Sequence, residues 1–131
     1  LKRIADEPRA QIVGHFDLLT KFDEKEHFFD ETSPRYWAAA LDAMDALVSA
    51  GKIFEVNTGA ISRGWRTTPY PSRWVLEQLK RRNAQVTISS DSHGVGTVDC
   101  AFDRAKALLE ACGFEEIRVF DGKTFAAQKI E

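Results

Sequence analysis

Three short apolar runs constrain this chain most: Gln11-Ile12-Val13-Gly14, Ile53-Phe54-Glu55-Val56-Asn57 and Val86-Thr87-Ile88-Ser89. Each is too short for a stable helix and rich in β-branched or aromatic residues, so each reads as a strand. Between and after them, apolar residues recur every three or four positions, the period of a helix with one buried face. The first such stretch opens at Ser33-Pro34, places Trp37, Leu41, Met44 and Val48 on one side, and stops at Gly51. The second opens at Pro71-Ser72 with Trp74, Val75, Leu76 and Leu79, and the third runs from about Val98 to Cys112, with Ala101, Ala105, Leu108 and Leu109 inward and Gly113 at its end. Strands alternating with helices are joined by right-handed crossovers, so the expected class is α/β with mostly parallel strands. A last strand is expected at Ile117–Phe120, then a turn at Asp121-Gly122. The tail from Phe125 to Glu131 fits either a strand end or a short docking segment.

At 131 residues, 44% hydrophobic and 29% charged, the chain has material for one core and is expected to form a single unit over residues 1–131. A net charge of −2 removes the broad basic footprint of sequence-independent nucleic-acid binding, and no nucleic-acid partner is expected. No apolar stretch approaches the roughly 20 residues of a membrane helix, so no membrane association and a cytoplasmic location are expected. Cys100 and Cys112, read on one helix, would lie about 18 Å apart along its axis, too far to bridge. Lys80, Arg81 and Arg82 crowd the end of the second helix, where cations favour the negative end of its dipole. The chain begins Leu1-Lys2-Arg3 and its single methionine is Met44. The expectation is a piece of a longer polypeptide.

The side chains that carry chemistry follow the strand ends. His15 comes after the first, the loop from Thr58 to Tyr70 with Arg63 and Arg66 after the second, and Asp91 and His93 after the third. In parallel α/β folds that edge is where active sites are built. An imidazole and a carboxylate two residues apart can ligate Zn, Mn or Fe ions. His27, in the charged segment Glu24-Lys25-Glu26-His27-Phe28-Phe29, reads as a surface or helix-edge histidine. Glu55 lies within an apolar strand, where an ionised carboxylate needs a partner, and has no assignable role from sequence.

Taken in order, Gly14-His15-Phe16-Asp17-Leu18, then Phe54-Glu55-Val56-Asn57-Thr58-Gly59 with Arg63-Gly64, then Tyr70-Pro71-Ser72 and Ser89-Ser90-Asp91-Ser92-His93 resemble the C-terminal half of histidinol-phosphatases of the polymerase-and-histidinol-phosphatase (PHP) family. The resemblance implies a partial, TIM-like (βα) barrel of the PHP type. It also implies a cluster of up to three divalent metals that hydrolyses a phosphate monoester in histidine biosynthesis. His15, Asp91 and His93 look like metal ligands of that cluster. Arg63, with Arg66 beside it, lies where the family's loop approaches substrate phosphate, although arginines in this loop could equally cap or pair at the surface. Asp17 could orient a ligand or donate a proton, or be an ordinary loop or helix-start carboxylate. The family's opening His-x-His motif and its further upstream histidine and glutamate ligands are absent. The fragment alone is therefore expected to be inactive. Its partners are expected to be a small phosphorylated substrate and the missing N-terminal half of the barrel, with self-association through uncovered sheet edges. A full barrel needs roughly 250 residues, about twice what is here. Other readings are a PHP-type phosphodiesterase and a non-catalytic α/β binding or scaffold module.

Overall fold

A computed structural model describes residues 1–28 and 30–131. Phe29, the last residue of the charged segment around His27, lies outside them. Three strands, β1 (Ile12–Val13), β2 (Ile53–Asn57) and β3 (Gln85–Ser89), pair in parallel in the order β1-β2-β3. The register sets Val13 opposite Phe54, Phe54 opposite Val86, and Asn57 opposite Ser89. The three C-terminal strand ends therefore share one edge. α1 (Asp23–Glu26) and α2 (Pro34–Ser49) link β1 to β2, and α3 (Gly59–Ser62) and α4 (Arg73–Arg81) link β2 to β3.

All five residues of β2 are buried, because the strand is central and covered on both faces. Phe54 and Val56 point to the side where Val13, Met44, Leu47, Val75, Leu76, Leu79 and Val86 form the core. Full burial of one such side chain contributes about 1.5–3 kcal/mol, so this face dominates the stability. The alternation of a strand sends Ile53, Glu55 and Asn57 to the opposite side.

The inner face of α2 differs from the expected stripe. Ala40, Ala43, Met44 and Leu47 are buried, whereas Trp37 is 37% exposed and stacks on Trp74 with ring centroids 5.4 Å apart. Leu41 and Val48 flank the core. Alanines let the helix axis approach the sheet, and the larger residues are displaced to the margins. Gly51 has the positive φ of 70° expected at the helix end. At the end of α4, Arg82 donates to the Gln78 carbonyl at 3.1 Å and to Asp45 Oδ1 at 2.6 Å, which ties α4 to α2.

The third helix, α5 (Phe102–Ala111), starts later than the periodicity predicts. Val95–Thr97 form a 3-10 turn and Ala101 takes a positive φ of 61°, which a continuous helix cannot accommodate. Cys100 thus lies outside the helix, and both cysteines are free thiols. Ala105 and Leu109 are its buried residues. The expectation of mostly parallel strands holds for β1, β2 and β3, and the C-terminal segment adds an antiparallel pair. β4 (Glu116–Phe120) turns back at Asp121-Gly122 into β5 (Phe125–Lys129) as an antiparallel hairpin, with Asp121 Oδ1 accepting the Lys123 and Thr124 N–H groups at 2.8 Å. The result is a mixed α/β fold with a small parallel sheet and a separate hairpin, and among the described residues the strands close no barrel. No described helix is long and apolar enough to cross a membrane.

Candidate functional site

His15, Arg63, Asp91 and His93 converge at the C-terminal edge of the parallel sheet. His15 follows β1 by two residues and Asp91 follows β3 by two. Both adopt left-handed backbone, with φ of 54° and 47°, at a cost of about 1–2 kcal/mol each for residues with a Cβ. Strain of this kind persists where neighbouring contacts fix it. His15 Nε2 lies 3.6 Å from Asp91 Oδ2, and the two side chains are 34% and 31% exposed. They meet at a rim open to solvent.

Arg63, on the residue that ends α3, reaches across to the β3 loop. Its Nη2 donates to Asp91 Oδ2 at 2.8 Å and its Nη1 donates to the Asp91 carbonyl at 3.0 Å. Nη1 also lies 3.1 Å from His93 Nδ1, itself 2.9 Å from the Asp91 carbonyl. One imidazole nitrogen cannot accept from Arg63 and donate to Asp91 at once, so the His93 tautomer selects between these contacts. The guanidinium hydrogen bond holds the Asp91 carboxyl below its usual range, with the Arg63, His15 and His93 charges helping against some burial.

Gly59 makes the clamp possible. A Cβ there would stand 2.7 Å from Arg63 Nη2 and 2.9 Å from both Asp91 Cβ and the Ser90 carbonyl. Glu55, beneath the rim, accepts the His15 backbone N–H at 2.9 Å and the Ser89 hydroxyl at 2.6 Å, and its Oε2 is 3.2 Å from His15 Nδ1. Tyr70, fully buried, is bonded through its backbone to Asn57 in both directions, and its ring lies 5.5 Å from that of His15. Burial raises its phenol to about 12, with Asp91, Glu55 and Asp17 adding to the effect and Arg63 opposing it. Gly59 and Tyr70 fall within the motifs that carry the resemblance, but composition and periodicity assign neither a role; for Glu55 the signal is an acid inside a buried strand.

Asp17 and Arg66 occupy a different place. Asp17 is buried and its Oδ2 accepts the Ser72 N–H at 2.9 Å, which anchors the start of α4. Burial raises its carboxyl, offset in part by the Ser72 bond and the Arg66 charge. Arg66 Nη1 donates to the Thr20 carbonyl at 3.2 Å and hydroxyl at 2.5 Å, Nη2 to Thr68 at 3.5 Å, and Nε faces Glu24 at 3.8 Å. Those donors brace two loops, and no hydrogen bond or ion pair joins Arg66 to the described rim residues. His27 caps α1 with φ of 52° and is exposed.

The rim suits a divalent cation in part. Two ligands bonded at about 2.1 Å in a tetrahedral site stand roughly 3.4 Å apart, close to the His15–Asp91 spacing. Among the described residues, however, no three His, Cys, Asp or Glu side chains form a group able to hold an ion.

No family model matches the chain. Over 109 residues it is 38% identical to a protein of Schizosaccharomyces pombe (strain 972 / ATCC 24843) named "Probable histidinol-phosphatase". The alignment covers 81% of this chain and 35% of that protein, so the chain spans about a third of its relative's length.

Proposed function

We propose that the chain is the C-terminal part of a PHP-type barrel in a metal-dependent phosphate monoester hydrolase resembling histidinol-phosphatase. The observation that carries this reading is the meeting of His15, Asp91, His93 and Arg63 on one edge of a parallel sheet. The likeness to a protein named as a histidinol-phosphatase supports the same reaction class.

His15 and Asp91 are ligands for a divalent ion, and His93 joins them once released from Arg63. Such an ion supplies charge to phosphoryl oxygens and acidifies a bound water. Arg63 exchanges its Asp91 contacts for the substrate phosphate, where a planar guanidinium gives two parallel hydrogen bonds. Arg66 holds the loop that carries Arg63, and Asp17 holds the start of α4. The other ligands come from a preceding barrel half, the partner that pairs with the open sheet edge at β1.

Phosphate release from histidinol phosphate with added Mn²⁺ or Zn²⁺ tests the proposal. Little or no turnover is expected from the 131-residue chain alone. Metal-dependent turnover is expected when it is joined to the N-terminal portion of the relative. Robust turnover by the isolated chain would overturn the division of the site, and an inactive fusion that binds metal would overturn the phosphatase reading.

A further inference from the structure

We propose that the open edge of β5 is a strand-addition interface for a second copy of this chain, paired antiparallel about Ala127. The pairing is independent of the rim and of the function proposed above.

In an antiparallel pair, successive residues alternate between bonding the partner strand and turning their backbone groups away from it. The Asp121 N–H donates to the Thr124 carbonyl and the Ile130 N–H to the Glu115 carbonyl, each at 3.0 Å, which puts Ala126 and Gln128 among the residues bonded to β4. Phe125, Ala127 and Lys129 therefore turn N–H and C=O outward, where no described group bonds them. β5 pairs with β4 alone, and residues 126–129 are exposed. Free sheet edges are ordinarily blunted by a proline, a bulge or an inward-pointing charge. β5 has none of these: its register is unbroken and its centre is Ala126-Ala127.

Two-fold symmetry about Ala127 sets that residue opposite its own copy and Phe125 opposite the partner's Lys129. The small central side chains let the two backbones meet without crowding. Among the described residues the Lys129 side chain makes no hydrogen bond or ion pair, and Glu116, its neighbour across the hairpin, is taken by Arg118 at 3.3 Å. The Lys129 ammonium is thus free to lie over the partner's Phe125, a ring already set 5.2 Å from that of Phe120. Each contact occurs twice, so the pairing closes at a dimer with one sheet in the order β4-β5-β5-β4.

Sedimentation equilibrium of the 131-residue chain over a range of concentrations tests the pairing. A reversible monomer–dimer equilibrium is expected, weak because so short an edge buries less than the roughly 1,200 Å² of a standard interface. Ala127→Pro removes an N–H that faces outward, so the β4-β5 ladder survives while the dimer weakens about ten-fold or more. Ala127→Cys reports the register. Directly bonded partners have Cα atoms about 5.5 Å apart, within disulfide reach, so mild oxidation links this variant as a dimer. Ala126→Cys stays unlinked, because its two copies stand about 8 Å apart. The unsubstituted chain, with its own thiols Cys100 and Cys112, is the control. A chain that is monomeric at every concentration, a folded Ala127→Pro that dimerises as tightly as before, or equal cross-linking of the two cysteine variants would overturn the proposal. If Ala127→Pro does not fold, the cysteine variants decide. A dimer that disappears when the chain is joined to the N-terminal portion of its relative would show the edge to be covered within the longer protein, and would overturn the proposal too.

Discussion

Two arginine–carboxylate regions lie on the same loop connection and differ in nearly every physical respect. Arg63 and Asp91 meet at an open rim, with side chains 28% and 31% exposed, and share a direct 2.8 Å bond. Arg66 and Asp17 are buried, feel each other only through space, and take their hydrogen bonds from Thr20, Thr68 and Ser72. The rim pair can exchange partners, because water or a ligand can replace either contact at small cost. The buried pair cannot, because each lost contact leaves a polar group without solvent. Three residues apart in sequence, Arg63 reaches the open rim and Arg66 braces two loops.

The largest contrast is expected from truncating each arginine. Arg66→Ala removes three donors from Thr20 and Thr68 and the charge nearest buried Asp17, and should cost about 2–4 kcal/mol in urea unfolding. Arg63→Ala should cost about 1 kcal/mol or less, as expected for a half-buried pair that water can still reach. Equal losses would erase the distinction between the two regions.

Gly59 sharpens the comparison from the backbone side. Gly59→Ala forces its Cβ into Arg63 Nη2, Asp91 Cβ and the Ser90 carbonyl. The side chain of Arg63 can move, but the carbonyl of Ser90 cannot without shifting the end of β3. A destabilisation of about 1–3 kcal/mol is expected, together with loss of the Arg63–Asp91 contact. A crystal structure of the variant with that contact intact would break the argument.

The two carboxylates should also respond to pH with opposite sign. The Asp91 carboxyl is lowered by folding, so its contribution is present above about pH 4, the unfolded value, and is lost as pH falls through its folded value. The Asp17 carboxyl is raised, so the folded state binds its proton more tightly than the unfolded chain. Its contribution therefore weakens as pH rises from about 4 to the folded value. The acid-side fall of stability should become shallower in Asp91→Asn, where Glu7, Glu24, Asp30 and Asp121 still contribute. The decline above about pH 4 should become shallower in Asp17→Asn, where Glu31 still contributes. The same slope change in both variants would contradict the assignment.

The reach of the sequence follows from the kind of physics each feature depends on. The place of His15, Asp91 and His93 at the sheet edge is legible because strand ends are local signals and parallel pairing carries every strand end to one edge. The buried face of α2 is set by alanines, which let helix and sheet approach closely, and the spacing of large apolar residues does not show it. The strand at Ile117–Phe120 and the turn at Asp121-Gly122 are local signals, whereas the pairing of the tail with that strand is not, since parallel and antiparallel strands share the same short apolar pattern. Arg63 and Arg66 have the same chemistry and nearly the same position, and only burial separates them. The grip of Glu55 on His15 spans forty residues, a separation at which no periodicity speaks.

The smallest expected effect lies beneath the rim. Among the described residues the Tyr70 hydroxyl is buried without a hydrogen-bond partner. A hydroxyl so placed has left water without compensation, and its removal costs no bond. Tyr70→Phe keeps the ring against His15 and should leave stability unchanged or raise it by up to about 1 kcal/mol. The Asp91 carboxyl should stay low, since Arg63 sets it and Tyr70 does not. Tyr70→Phe destabilised by more than about 1 kcal/mol would mean that the hydroxyl is bonded, and NMR titration of the Asp91 carboxyl in that variant would tell whether the bond reaches the rim.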